Sequence, residues 1–499
     1  MGANRLSLVH KGADMTPVEE RPDINRKERI ALEPVARAYR DIQERIGDFE
    51  ECAICLTPEE AMAEAARCLH CPEPSACVKA CPLGNDISEA LWLIENGEFA
   101  KAAEIYRRTN PIPEICGRVC PGESSCLTSC VLTKRGKGIH TRALEAFVAD
   151  YQRENVGVPL PEKAPSSGKK VAVVGAGPAG MAVAEDLTIA GHDVTIYDQM
   201  PAPGGLLVYG IPNFKLNKEL VEWKANWLRD LGVKFVMNTR IGEDVTIDEL
   251  VNGQGFDAIF LGTGAEIEAN MRVPGEDLGR IHGSLDFLIR CNVPDDMLPE
   301  DKKDRVRIGK RIAIIGGGDT ATDCMRSALR LGAEEVVCYY RRTEAEMPGN
   351  AAERHHAIEE GARIDYLTAP VEMLDTTGDG NVNRMRMIQM ELGEPDDSGR
   401  RRPVPIEGSE YEVEVDDVVL AIGFWPDPLI GESTPDLETH KWGLIALKDD
   451  SGRTSRAGIF AGGDNVTGPA LVNQALAAGK RAAEAIHQFL TEEVTEQAV

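Results

Sequence analysis

Eight cysteines stand in a spaced array, Cys68-x2-Cys71-x5-Cys77-x3-Cys81-Pro82 and then Cys116-x3-Cys120-x5-Cys126-x3-Cys130, within a chain of thirteen. Thiolates are soft ligands, and Cys-x2-Cys is a half-site for zinc. Zinc sites usually pair two such hairpins, whereas this array has one, together with two Cys-x5-Cys-x3-Cys runs, the first followed by proline. That arrangement is closer to two-cluster ferredoxins, in which the last cysteine of a run binds the other cluster. Zinc and unmetallated thiols are the competing readings at this point.

Two glycine-rich turns follow. Lys169 to Val174 is an apolar run leading into Gly175-Ala176-Gly177-Pro178-Ala179-Gly180, and Lys310 to Ile315 repeats it residue for residue before Gly316-Gly317-Gly318-Asp319-Thr320-Ala321. A strand, a glycine turn and a helix in that order let a pyrophosphate approach a helix N-terminus, so each copy predicts a Rossmann-type dinucleotide site. The next strand separates the two ligands. Asp193 to Asp198 ends in a carboxylate suited to ribose hydroxyls, as in FAD, whereas Glu335 to Tyr340 runs into Arg341-Arg342, whose guanidinium forks suit the 2′-phosphate of NADPH rather than NADH. The alternative is two solvated arginines at a strand end. Near the C-terminus, a strand ends in Gly463-Asp464, and Asp464 is expected to accept a hydrogen bond from a flavin ribityl chain. Direct hydride transfer needs no acid or base, so no catalytic residue is assigned.

These residues need elements to hold them. The pattern predicts short helices over Thr57–Leu69, Ile87–Thr109 and Thr141–Gln152, an all-α setting for the cysteines, and a Gly/Pro/Ser-rich linker over Val156–Ser167. Helices are also expected over Arg26–Glu44, Met181–Ala190 and Thr322–Leu331. Short apolar strands ending in glycine, Ile259–Gly264 and Val418–Gly423, are either chain crossovers between the nucleotide domains or simple strand-end turns.

At 499 residues, two or three domains are expected. No run of 18 apolar residues is present, Met1–Asp14 lacks the apolar core of an export signal, and Leu6 stands where myristoylation needs Ser or Thr. The expected location is the reducing cytoplasm, where cysteines serve metals or catalysis rather than a disulfide scaffold. A net charge of −27 opposes nucleic-acid and anionic-membrane partners.

With these motifs in hand, the chain resembles the glutamate synthase small-subunit family, which also includes the large subunit of NADH-dependent ferredoxin:NADP oxidoreductase and the N-terminal part of dihydropyrimidine dehydrogenase. The resemblance covers residues from about 57 to 490. It is carried by Arg67-Cys68-Leu69-His70-Cys71, by Thr109-Asn110-Pro111 through Cys116 to Pro121, by Gly204-Gly205-Leu206-Leu207 through Tyr209-Gly210-Ile211-Pro212, and by Tyr340-Arg341-Arg342 with Glu346-Met347-Pro348. The resemblance implies one [4Fe-4S] cluster on Cys68, Cys71, Cys77 and Cys130. It implies a second on Cys81, Cys120 and Cys126 with Glu145 of Leu144-Glu145-Ala146-Phe147 as fourth ligand, and Cys116 as a bystander. Gly205 and Leu206 join Gly175, Gly177, Gly180, Asp198, Gly463 and Asp464 as the FAD set, and Gly316, Gly318, Asp319, Thr320, Ala321, Arg341 and Arg342 form the NADPH set. Cys52-x2-Cys55, upstream of the array, is either half of an extra metal site shared with a partner or with Cys116, or two buried structural thiols.

The implied fold is α/β: an N-terminal α-helical double [4Fe-4S] domain followed by two Rossmann-like domains arranged as in glutathione reductase. The expected division is an extension over 1–50, the iron–sulfur domain over 51–155, a linker over 156–168, the FAD domain over 169–291 and 423–499, and an inserted NADPH domain over 292–422. The implied activity passes electrons from NADPH through FAD and the clusters to a larger catalytic or electron-accepting subunit, first of all that of glutamate synthase, in a hetero-oligomer. The alternatives are a transhydrogenase or electron-bifurcating subunit linked to ferredoxin, an input subunit of a hydrogenase or other dehydrogenase, or a non-enzymatic iron–sulfur scaffold.

Overall fold

The computed structural model describes residues 24–396 and 399–497. The first part of the expected extension, residues 1–23, therefore lies outside the described residues. Three bodies of structure follow one another: a helical module, and two parallel sheets threaded through each other.

In the helical module, Thr57 caps Pro58–Ala65 with a capping box to Glu60. The helix expected over Ile87–Thr109 is two, Ile87–Glu95 and Phe99–Arg107, because Gly97 at φ +75° turns the chain between them. The helix expected over Arg26–Glu44 is likewise two, Arg26–Ala31 and Ile42–Arg45. Pro34 disfavours helix at Glu33, and the stretch after it runs extended, with Arg40 N–H donating to the Cys52 carbonyl at 2.9 Å and Ile54 N–H to that of Ala38 at 3.0 Å. Pro113–Val119 packs on Thr141–Asn155 so closely that a Cβ on Gly117 would strike the Ala146 backbone. These helices close around a core that includes Ala61, Ile94, Tyr106, Leu144 and Val148.

The first sheet is parallel, in the order 459–461, 258–261, 170–174, 193–197, 234–236. Its central strands are buried on both faces, as expected when helices cover a parallel sheet. The second, also parallel, runs 281–283, 417–421, 311–316, 335–340, 363–366. A four-stranded antiparallel sheet built from 368–374, 384–395, 401–405 and 411–414 packs against its outer side. The first sheet thus takes its last strand from beyond the whole second sheet. Where the chain crosses, Ile267–Glu268 pairs antiparallel with Phe424–Trp425, so the two connections brace each other. Strand Ile281–Gly283 belongs to the second sheet, which puts the sheet crossing ahead of it and not at residue 291. The helix that follows, Ser284–Asn292, is shared: Leu285 and Ile289 enter the first core, Phe287 and Leu288 the second.

The helical module is fastened to both nucleotide modules. Ile112, Ile115 and Cys116 enter the core of the first sheet's module. Buried Glu360 accepts from Arg326 at 2.8 Å and Arg330 at 2.7 Å and lies in an ion pair with Arg45 at 2.9 Å, which ties the N-terminal extension to the second module. Among the described residues no helix is long and apolar enough to cross a membrane.

A further tether joins the linker to the C-terminal helix. Ser167 Oγ lies 2.7 Å from His192 Nδ1, and His192 Nε2 lies 2.9 Å from His487 Nδ1. Burial, and then the neighbouring His487, hold the His192 pKa down at about 4. Below the ordinary histidine value of about 6.5 the unfolded chain binds a proton that the folded chain refuses, so acid favours unfolding. The thermal midpoint is expected to fall between pH 6.5 and pH 5, and the fall should be shallower in His192→Gln. An equal slope in both proteins contradicts this reading.

Candidate functional site

Each glycine turn ends a buried strand and opens a helix, Pro178–Ile189 or Asp319–Arg330, whose first N–H groups receive no side-chain cap. Gly175, at φ +105°, has room for no side chain because a Cβ would collide with the Gly262 carbonyl oxygen. Gly180 is held against the Gly175 carbonyl, and Gly316 against that of Ala421, in the same way. Gly177 and Gly318 differ: a Cβ there would meet no protein atom within 4 Å. Their open side faces the helix N-termini, a cradle of the kind a pyrophosphate fills.

One long cleft, of about 820 Å³, brings together Gly175, Gly177, Asp198, Gly205, Leu206, Gly463 and Asp464 of the first set and Asp319 and Thr320 of the second. Gly180, Gly316, Gly318, Ala321, Arg341 and Arg342 do not line it. Asp198 fastens the first turn, accepting from Ala176 N–H at 2.6 Å and Met200 N–H at 2.8 Å, one bond to each oxygen, and burial pushes its pKa up. Lone pairs remain on both oxygens for a ribose. Asp464, at the start of Asp464–Thr467, is pushed up to about 6 by burial.

The two arginines behave differently. Arg342 is buried and committed, pairing with Asp396 at 2.7 Å and donating to the Arg401 carbonyl at 2.7 Å. Arg341 is exposed and makes no hydrogen bond or ion pair with the described residues. Two lysines outside the expected FAD and NADPH sets also belong here. Lys215 lines the cleft and reaches across it to Asp323 at 2.9 Å, joining the two nucleotide modules. Lys218 is buried beneath the Gly205–Ile211 turn, where its Nζ donates to the carbonyls of Leu207 and Ile211, and burial brings its pKa down to about 7. Only the fold places Lys215 in the cleft and Lys218 beneath its wall.

The cysteines surround two hollows. Cys68, Cys71, Cys77 and Cys130 line one, of about 30 Å³, whose remaining wall is mostly apolar, with Leu69, Leu91, Leu132 and Ile139. Cys81, Cys120, Cys126 and Glu145 line the other, of about 20 Å³, together with Cys116, Tyr106, Asn85, Asn110 and Asn473. The sequence-expected ligand sets thus fall into separate hollows, four residues to each. Asn85 and Asn110 donate to the same oxygen of Glu145, at 3.1 and 2.8 Å, and no hydrogen bond from the described residues reaches the other. Burial raises the Glu145 pKa to about 8. It raises the thiols of Cys68 and Cys120 to about 12 and that of Cys81 to about 11.

Buried acids whose pKa values stay raised, although Arg142 lines the second hollow, fit a cationic inorganic centre, which would make the thiolates favourable. A single zinc fits less well. Among the described residues no three His, Cys, Asp or Glu side chains gather as one metal ion needs, with bonds of about 2.3 Å to sulfur. Cys116 shares the second hollow but also packs in the apolar core with Ile112 and Ile115. Cys52 and Cys55 are not brought together with it. Cys52 is buried between Arg326 and Arg330, whose Nη2 atoms lie 3.4 and 3.3 Å from its sulfur, while Cys55 is exposed.

The hollow at Cys120 backs onto the nucleotide cleft. Val119 and Pro121, on either side of Cys120, line the cleft. Asn473, from the first turn of the helix Val472–Gln497, donates to Cys120 Sγ at 3.0 Å.

Comparison with known proteins agrees with this division. Residues 45–156 match the family described as dihydropyrimidine dehydrogenase domain II, 4Fe-4S cluster, and residues 169–479 match pyridine nucleotide-disulphide oxidoreductase. The glutamate synthase [NADPH] small chain of Escherichia coli (strain K12) is 37% identical over 467 residues, covering 92% of this chain and 98% of the relative. The NADP(+)-dependent formate dehydrogenase subunit beta of Moorella thermoacetica is 37% identical over 451 residues, covering 85% of this chain and 61% of the relative. Among solved structures, Mycobacterium tuberculosis FprA in complex with NADPH superposes with a TM-score of 0.55 at 21% identity, over 67% of this chain and 86% of that one, a likeness of fold. Two sheets threaded through one another around a shared cleft, a thiol-lined helical module set against it, and end-to-end similarity at this level place the chain in the glutamate synthase small-chain family of pyridine nucleotide-disulphide oxidoreductases.

Proposed function

We propose that this chain is the electron-input subunit of glutamate synthase, taking electrons from NADPH and delivering them to a larger partner subunit. At the level of chemistry it is an NADPH-dependent flavin and iron–sulfur oxidoreductase. When bound, NADPH and FAD exchange a hydride and iron–sulfur clusters carry the electrons onward singly. The observation that carries this reading is the thin wall between the nucleotide cleft and the Cys120 hollow.

Each residue then has a task. Gly175, Gly177 and Gly180 with Asp198 seat the FAD pyrophosphate and ribose, and Gly205, Leu206, Gly463 and Asp464 bound the rest of its site. Gly316, Gly318, Asp319, Thr320 and Ala321 seat the NADPH pyrophosphate at the second helix N-terminus. Arg341 is the anchor for the 2′-phosphate, and Arg342 holds the antiparallel sheet beside it through Asp396. Cys68, Cys71, Cys77 and Cys130 hold one [4Fe-4S] cluster, and Cys81, Cys120, Cys126 and Glu145 a second. Asn85 and Asn110, by occupying one oxygen of Glu145, present the other to the hollow.

The near-complete mutual coverage with a glutamate synthase small chain supports the choice of partner. An input subunit for another dehydrogenase is the second reading, supported by equal identity to the formate dehydrogenase relative. Anaerobic co-purification decides between them: glutamate synthase predicts a partner with glutamine amidotransferase and FMN-dependent synthase domains, and a partner lacking both overturns it.

Losing a hydrogen bond to a charged group costs about 1.5–3 kcal/mol, roughly ten- to a hundredfold in affinity. Arg341→Ala should therefore raise the dissociation constant for NADPH by that factor and leave NADH unchanged, as read by flavin fluorescence quenching. Equal losses for both nucleotides overturn the 2′-phosphate assignment. For the second hollow, Cys116→Ala is expected to keep iron content and both cluster EPR signals, whereas Glu145→Ala should lose or alter one signal. The reverse pattern would make Cys116 the ligand.

A further inference from the structure

Asn473 is a polar side chain that the fold keeps at a place where an apolar one would be easier to bury. It is 3% exposed, and its Oδ1 has no hydrogen-bond partner. A buried carbonyl left unsatisfied costs about 1–3 kcal/mol, which a valine or leucine there would avoid. Its Nδ2 is engaged, donating to Cys120 Sγ at 3.0 Å. The two residues come from different modules: Cys120 ends the helix Pro113–Val119, and Asn473 opens the C-terminal helix that packs on the first glycine-turn helix. Val472 and Ala475 beside Asn473 line the nucleotide cleft, as do Val119 and Pro121 beside Cys120. This N–H···S contact therefore crosses the wall between the cleft and the second hollow.

We propose that Asn473 is a positioning residue that sets the electron affinity of the cluster held at Cys120. The proposal rests on the cluster reading of the hollow formed by Cys81, Cys120, Cys126 and Glu145. An N–H pointing at a ligating sulfur draws negative charge off it and favours the reduced, more negative form, which raises the reduction potential. A thiolate can only accept, so the amide nitrogen and not its oxygen faces it. Glu145, an anion in the same hollow when ligating, works the other way, and Arg142 lines the hollow as the cation facing it. The nucleotide module thereby biases the cluster next to it to take one electron of the pair that NADPH supplies. Asn473 forms no covalent bond and carries no proton in that step.

The test is an EPR-monitored redox titration of the full-length, anaerobically purified protein against Asn473→Val, Asn473→Asp and Asn473→Ser. In Asn473→Val, one of the two cluster signals should move to lower potential by about tenfold in its reduced-to-oxidised ratio, roughly 59 mV for one electron. It should move further in Asn473→Asp and less in Asn473→Ser, which keeps a donor, while the other cluster stays in place. If neither signal moves, if both move together, or if Ser and Val shift alike, the inference fails and Asn473 is a packing residue. If the unaltered protein holds neither iron nor acid-labile sulfide, the cluster reading itself has failed.

Discussion

Burying acids out of reach of water is the constraint on which the helical module turns. Left alone, the thiols of Cys68, Cys81 and Cys120 and the carboxyl of Glu145 stay protonated, because desolvation opposes their charged forms and each raises its neighbours further. Arg142, which lines the second hollow, offsets this only in part for Glu145 and Cys120, and other arginines of the module are committed elsewhere. Arg67 is spent on Glu64 and on the carbonyls of Lys137 and Gly138, and Arg118 on Glu51 and Asp150. A polypeptide that packs short helices around such hollows stores a demand for positive charge that an inorganic centre meets. Binding that centre and completing the fold are then one event.

The nucleotide modules answer the opposite problem, how to bring anions close to backbone. Close contacts at Gly175, Gly180 and Gly316 remove space on the protein side of each turn, while Gly177 and Gly318 leave it on the ligand side. The Lys215–Asp323 pair bridges the cleft, and the Phe424–Trp425 ribbon braces the crossings. With the helical module sharing a core with the first sheet through Ile112 and Ile115, the three parts form a continuous path of packed structure from cleft to cysteines.

Much of this was legible in the residues. The strand, turn and helix of each repeat were readable because apolar runs, glycines and strand-end charges are local signals. The grouping of the eight candidate ligands followed from family resemblance, and each set lines its own hollow, with Cys116 sharing the second. Local signals misled where a break was subtle: Gly97 and Pro34 each divide a stretch that reads as one helix. The division of labour between Arg341 and Arg342 was hidden because it depends on Asp396 and Arg401, far along the chain. Lys218 and Asn473 were invisible for the same reason, since their partners are backbone carbonyls and a sulfur that only tertiary structure brings near.

In the proposed electron route, reducing equivalents enter at the cleft and leave through the cysteine hollows. Anaerobic rapid mixing with NADPH tests it most directly, by following flavin absorbance and the broad brown absorbance of iron–sulfur clusters together. The account predicts that the flavin bleaches first and that cluster bleaching follows within the same turnover. A flavin that bleaches fully while the cluster absorbance holds steady would contradict it.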